Sequence, residues 1–186
     1  MLAEQYLRDE LNKFAKYVIQ QARTNLTKGA SPYGTFNDTK NLYNSLDFDV
    51  DPKGDTISLS FEMSDYGKFK DRGVKGTKSN YIENKQSPYS FKSKGGKRGL
   101  KGMPPPKAFD KWIVRKGLKG IRDKKGRFLS RKTLQFLVAK SVFEKGMKAS
   151  MFFTKPFAAA FKRLPDELVE AYAIGIEKQI QVNISK

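Results

Sequence analysis

The chain has 186 residues and a mass of 21.2 kDa, with 37 Lys/Arg against 19 Asp/Glu for a net charge of +18, and it contains neither cysteine nor histidine. A chain of this length buries roughly 70% of its unfolded surface, so a core can form without staples. The two missing residue types exclude disulfides, cysteine nucleophiles, histidine bases, Ser–His–Asp relays and Cys/His zinc sites. Any catalysis would fall to carboxylates, lysine, serine or tyrosine. Met1 to Glu10 alternates apolar and charged residues, unlike a secretory signal, and the longest apolar run lies at Phe157 to Phe161. That run is far short of the roughly 20 residues a membrane span needs, so the expectation is a soluble protein made inside the cell.

The charge is concentrated. Lys68 to Lys132 holds 22 Lys/Arg and 4 Asp/Glu, a net of +18, and the remaining residues carry 15 of each sign. The pattern is a neutral scaffold with one strongly basic insert. Such an insert repels itself and extends unless a polyanion or an acidic protein neutralises it. The plain alternative is a solvated lysine-rich loop that serves solubility.

In chain order, Leu7, Leu11, Phe14, Ala15, Val18, Ile19, Ala22 and Leu26 recur every three or four residues and predict a helix over 2–26. Arg8, Asp9, Asn12, Lys13, Lys16, Gln20 and Arg23 fill its other face, and Lys28-Gly29 ends it. Ala30 to Asp38 has turn chemistry, and Asp38 or Thr39 can cap a short helix through Leu42 and Tyr43. Leu46, Phe48 and Val50, then Ile57, Leu59, Phe61 and Met63, alternate with polar residues across the turn Asp51 to Asp55, which predicts a β-hairpin with one buried face. Lys78 to Gly102 reads as a long mobile loop. Pro104-Pro105-Pro106 leads into a short helix over 107–116 carrying Phe109, Trp112 and Ile113. Gly120 to Arg127 is basic and loop-like. Ser130 can cap a second insert helix facing inward through Leu134, Leu137, Val138, Ser141 and Val142, with Gly146 as its stop. Thr154 can serve as the N-cap and Pro156 fits the first turn of the helix that returns the chain to the scaffold. Pro165 with Asp166-Glu167 restarts a helix with Leu168, Val169, Tyr172, Ala173, Ile176 and Ile180 on one face, and Gln181 to Ser185 could form a short strand instead. The expected class is therefore α+β: a small antiparallel sheet packed with a long N-terminal helix and a C-terminal helix, plus a basic loop-and-helical-hairpin insertion. The expected organisation is a single domain over 1–186, with 1–77 and 150–186 as scaffold and 78–149 as insertion.

The order of pieces has a further implication. The first helix is followed by Thr39-Lys-Asn-Leu-Tyr-Asn-Ser45, then Tyr66-Gly-Lys-Phe-Lys-Asp-Arg-Gly73 with Gly76-Thr77, and much later Lys155-Pro-Phe157 before a final helix. This resembles the tail-completion, or head–tail joining, family of tailed bacteriophages, where a "T-G-x-L-x-x-S" opening is followed by "Y-A-x-F-x-E-x-G-T" and then "x-P-F-L-x-P-A". The insert also resembles a version seen in that family, through Pro105-Pro106, Trp112, Lys116-Gly117-Leu118, Gly146 and Phe152-Phe153. Lys40 stands where the family often has glycine, Asp71-Arg72 where it has one acidic residue before Gly73, and Ala158-Ala159-Ala160 where a second proline is common. The resemblance covers about residues 1–181. It implies an α+β fold and a structural virion protein in the phage neck: a closed homo-oligomeric ring, bound by portal or adaptor and tail proteins, through whose channel the double-stranded genome passes. It implies no enzyme and no cofactor or metal.

Within that reading the candidate contacts to DNA or to a partner are Lys92, Lys94, Lys97, Arg98 and Lys101, and a second cluster of Lys119, Arg122, Lys124, Lys125 and Arg127. Lysines on a glycine-rich backbone bind phosphate as point charges without reading sequence, and a ring multiplies weak contacts through avidity. Docking onto an acidic protein face has equal standing. Tyr81, Tyr89 and Phe91 interleave with the charge; aromatics can stack on unpaired bases, but a duplex channel offers none, so they read as anchors to a neighbouring subunit. Trp112 reads as insert core or interface anchor, and Phe152, Phe153 and Phe157 as a hydrophobic latch tying the insert back to the sheet. Two other classes compete: a stand-alone, non-specific nucleic-acid-binding protein of ribosomal type, and a metal-dependent nuclease built on Asp71 with Glu83-Asn84-Lys85.

Overall fold

Twenty-seven consecutive residues free of Gly and Pro, with the apolar stripe described above, form helix α1 (Leu2–Lys28). In the computed structural model, which describes residues 2–28, 30–31, 34–35, 39–53, 56–96, 99–118 and 121–184, this helix opens an α+β fold with three two-stranded antiparallel ladders. The chain divides into two compact units. The first, a scaffold unit, comprises residues 1–29, 39–64 and 152–186; the second comprises 30–38 and 65–151. The first carries 12 basic and 12 acidic residues, and the second 25 basic against 7 acidic, the whole net charge of +18. The sequence reading places the start of the insertion at residue 78, whereas the second unit already includes residues 65–77 and the short strands β1 (Ala30–Ser31) and β2 (Gly34–Thr35).

In the scaffold unit, α1 buries Phe14, Ala15, Val18, Ile19, Ala22 and Leu26, the face its periodicity predicts, and Ala3 as well. A short helix α2 (Asn41–Asn44) follows, then the hairpin β3 (Asp47–Lys53) and β4 (Thr56–Glu62) in the register Phe48↔Phe61 and Val50↔Leu59. The cap of α2 is Lys40 in the left-handed region at φ 52°, with no side-chain cap. Thr39 therefore does not serve as the cap, and Asp38 lies outside the described residues. Ser45 joins the two pieces: its hydroxyl donates to the Leu42 carbonyl (3.1 Å) and accepts from the Ser64 N–H (3.0 Å). Arg23, placed on the polar face by its spacing, instead donates to the Tyr43 and Leu46 carbonyls (3.2 and 2.9 Å) and lies over the Tyr43 ring.

Two further helices complete this unit, α6 (Thr154–Phe161) and α7 (Leu164–Ile184). Phe153, not Thr154, holds the N-cap position of α6. Ile19, Ala22 and Leu26 toward the C-terminal end of α1 share a core with Leu42, Leu46 and Phe152, and Phe14 and Val18 at its middle share one with Ala160 and Leu164. Phe61 bridges the two. The final segment continues as helix to Ile184, so the alternative strand does not form.

The inward face of α7 differs from the sequence expectation. Leu164, Ala171 and Gly175 are buried, while Val169, Tyr172, Ala173, Ile176 and Ile180 are exposed. The reason is close approach of two helices: a Cβ on Gly175 would collide with the Ala3 backbone on α1. Small residues let helix axes draw together, and the larger side chains are left on the far side.

The second unit contains α3 (Gly67–Arg72), β5 (Val74–Lys75), a 3-10 turn at Ile82–Asn84, a 3-10 turn at Pro106–Phe109 running into α4 (Asp110–Arg115), α5 (Arg131–Lys145) and β6 (Gly146–Met147), which pairs with β5. Ser130 caps α5, its hydroxyl accepting from the Thr133 N–H at 3.2 Å. The inward face of α5 is Leu134, Ala139 and Phe143, rotated from the expected one, so that Leu137 and Ser141 are exposed. Phe143 sets that rotation by packing on Phe91, with ring centroids 5.9 Å apart.

Candidate nucleic-acid interface

The basic unit first needs a rigid base, and the sequence offers few apolar residues to build one. The base is polar. Asn84 is fully buried; its side-chain N–H groups donate to the Val74 and Met147 carbonyls (3.0 and 2.8 Å), and its carbonyl accepts from the Ala149 N–H (2.8 Å). The Ser87 hydroxyl donates to the Gly73 carbonyl at 2.7 Å. Gly73 turns the chain at φ 71°, and a Cβ there would strike the Asn84 side chain. Lys75 N–H donates to the Tyr89 carbonyl and Phe91 N–H to the Lys75 carbonyl, both at 2.9 Å, laying the loop alongside β5. The segment from Lys78 onward is thus irregular yet pinned as far as Phe91, not a long free excursion. The sequence does not show that Asn84 and Ser87 are buried, because turn-forming residues carry no periodicity that separates a buried one from a solvated one.

Ion pairs brace the same base. Lys78 meets Glu144 at 2.8 Å and Lys148 meets Glu83 at 2.8 Å. Each lysine, by hydrogen bonding, lowers its carboxylate's pKa below the ordinary range. Between α4 and α5 the Arg131 guanidinium grips Asp110 at 2.7 Å, with Gln135 on the same carboxylate, and lowers that pKa too.

Two cationic tips rise from this base. The first is a closed loop in which Lys94 N–H donates to the Lys101 carbonyl (2.8 Å), Lys101 N–H to the Gly95 carbonyl (3.0 Å) and the Ser93 hydroxyl to the Gly99 carbonyl (2.6 Å). Lys92, Lys94 and Lys101 are exposed on it. The second, expected as loop, is a miniature hairpin: Arg122 bridges Phe128, and Asp123 N–H donates to the Arg127 carbonyl at 2.8 Å. The Asp123 carboxylate accepts from the backbone N–H groups of Lys125 and Arg127 and from the Arg127 guanidinium, and these bonds lower its pKa. Arg122 lies 4.1 Å over the Phe128 ring and donates to the Gly126 carbonyl. So the two arginines of the second cluster build the tip, and Lys124 and Lys125 are exposed at its end. Lys97, Arg98 and Lys119 lie outside the described residues.

The aromatic candidates sort by unit. Tyr89 packs on Phe69 with centroids 4.6 Å apart and Phe91 on Phe143, so both are held by their own chain, whereas Tyr81 is 38% exposed. Trp112 is half-buried on α4 beside buried Ile113. Phe152 is core of the scaffold unit, and Phe153 and Phe157 pack edge-on against Phe61 of β4 at 5.2 and 5.9 Å. The nuclease constellation does not assemble as its chemistry requires. Glu83 and Lys85 are exposed at a 3-10 turn, not on a buried strand, and Asp71 is buried. Among the described residues no group of three or more Asp and Glu side chains converges as metal ligands, and no helix is long and apolar enough to cross a membrane. The chain matches no protein-family model, no curated protein and no solved structure.

Proposed function

We propose that this protein is a structural virion component of a tailed bacteriophage, a subunit of a ring at the head–tail connector through which genomic DNA passes. The observation that carries the reading is the separation of charge between the two units, neutral in one and +18 in the other. The order of motifs from Thr39-Lys-Asn-Leu to Lys155-Pro-Phe supports the same assignment. Exposed lysines on two hydrogen-bonded tips give contact with phosphate that is strong in sum, insensitive to sequence and weakened by salt, which suits a duplex that must slide. An acidic face on a portal, adaptor or tail protein would engage the same tips. The reading assigns no catalytic step.

Native mass spectrometry and negative-stain imaging of the purified chain, alone and with neck partners, test the assembly; closed rings are expected, and a monomer under every condition refutes it. Replacing Lys94, Lys101, Lys124 and Lys125 with glutamine tests the tips. For every phosphate that the lysines no longer neutralise, the salt slope of duplex binding falls by about 0.9. Unchanged DNA binding with failed particle assembly assigns the tips to a protein face.

A further inference from the structure

Helix α7 ends with two unlike faces. At 100° per residue, Leu164, Leu168, Ala171 and Gly175 fall together and pack inward, while Val169, Tyr172, Ala173, Ile176 and Ile180 fall within about 100° of arc on the opposite side. These are exposed: Val169 by 71%, Tyr172 by 51% and Ile180 by 52%. The stripe runs about 16 Å along the axis from Val169 to Ile180. Asp166, Glu170 and Glu177 line one flank of it on the helical wheel.

The basic unit has a concave counterpart. A groove of about 620 Å³ is walled by Tyr66, Phe69, Pro88, Tyr89, Phe91 and Met147, with Lys70 and Lys92 also in its wall. It exists because the Asn84 and Ser87 bonds hold the 84–91 segment beside β5.

One surface is convex, apolar and flanked by carboxylates; the other is concave, apolar and flanked by ammonium groups. We propose that the Val169–Tyr172–Ile176–Ile180 face of one copy docks in the Phe69–Tyr89–Phe91 groove of a second copy, with Glu170 and Glu177 toward Lys70 and Lys92. The mode is an amphipathic helix in an apolar groove, anchored at i, i+3, i+7 and i+11. Each chain carries both halves, so the contact is head-to-tail and repeats from copy to copy, and a ring results when the rotation closes. It rests on the ring reading above and names the contact that would build the ring. The charged flanks set register, and the apolar anchors supply most of the holding force.

The test uses the full chain. A benzophenone amino acid at Tyr172 is photolysed in a mixture of isotopically light and heavy copies, and assembly is followed by mass photometry. The expected result is light-to-heavy cross-links into residues 66–92 or 147. Ile176→Asp, at an exposed position and with the helical circular dichroism retained, raises the concentration for half-assembly at least tenfold. The paired change Glu170→Lys with Glu177→Lys weakens assembly, as does Lys70→Glu with Lys92→Glu, and the two pairs combined restore it. Assemblies that persist in Ile176→Asp, or cross-links that fall within one copy, on another segment or on a different virion protein, overturn this contact while the ring reading stands. A chain that is monomeric alone and with every neck partner overturns both.

Discussion

Asn84→Ala isolates the polar base on which the cationic tips stand. The amide makes three hydrogen bonds of 2.8 to 3.0 Å to backbone groups of Val74, Met147 and Ala149, and none of its surface reaches solvent. Three net bonds at about 1 kcal/mol each set a central loss of about 3 kcal/mol. A water admitted to the vacated space would re-satisfy part of the set and bring the loss to about 2 kcal/mol, whereas a dry cavity with stranded carbonyls raises it toward about 5 kcal/mol. Asn80→Ala is the internal control: its side chain accepts one exposed bond from Gly76 N–H, worth under about 1 kcal/mol. Trp112, the single tryptophan, lies in the same unit, so urea unfolding followed by its fluorescence reads the effect, and hydrogen exchange at the Ala149 amide reports the missing acceptor. Equal destabilisation by the two variants, or a loss below about 1 kcal/mol for Asn84→Ala, refutes the argument that buried amide bonds organise this unit. Asn84→Asp adds a sign. A buried carboxyl between two carbonyls has its pKa raised, so the variant is least damaged in acid and loses stability as the pH rises through that value.

Other outcomes follow from the same geometry. Lys40→Gly removes the cost of a left-handed residue with a Cβ and is expected to stabilise the scaffold unit by about 0.5–1 kcal/mol in thermal melts, in line with the resemblance that puts glycine there. Gly175→Val forces α7 away from Ala3 and is expected to cost about 2–3 kcal/mol by circular dichroism, while Ala173→Val on the exposed face loses only the helix propensity of alanine, about 0.6 kcal/mol. The carboxyls of Glu83, Asp110, Asp123 and Glu144 all titrate below their ordinary values of 4.5 and 3.8. Their contribution is complete above those values and fades as pH falls through the lowered ones, so the protection of amides in residues 65–151, taken relative to the intrinsic exchange rate at each pH, is expected to fall below about pH 4.

Much of the architecture was legible in the chain. The 3.6-residue period of α1 and the alternation of Phe48, Val50, Ile57, Leu59 and Phe61 each name an element and its less exposed face, buried in α1 and half-buried in the hairpin, because a single element in contact with one core needs only one apolar stripe. The Ser130 cap and the Gly146 stop of α5 are local chemistry and were equally readable. The concentration of positive charge follows from residue order alone.

What the folded chain alone decided lies where local pattern and tertiary contact compete. The bulkier apolar side of α7 points the period toward Val169, Tyr172 and Ile176, yet the helix turns its small residues inward, because contact with α1 rewards close approach over side-chain size. Arg122 and Arg127 read as exposed cations like the lysines beside them, and only the hairpin shows that they also hold the tip together through Phe128 and Asp123. Asn84 and Ser87 look like solvated loop residues until the chain places backbone groups from positions 63 and 65 residues away around the asparagine. Hydrogen-bond partners that distant in sequence leave no local trace, so burial of a polar side chain is set by tertiary structure.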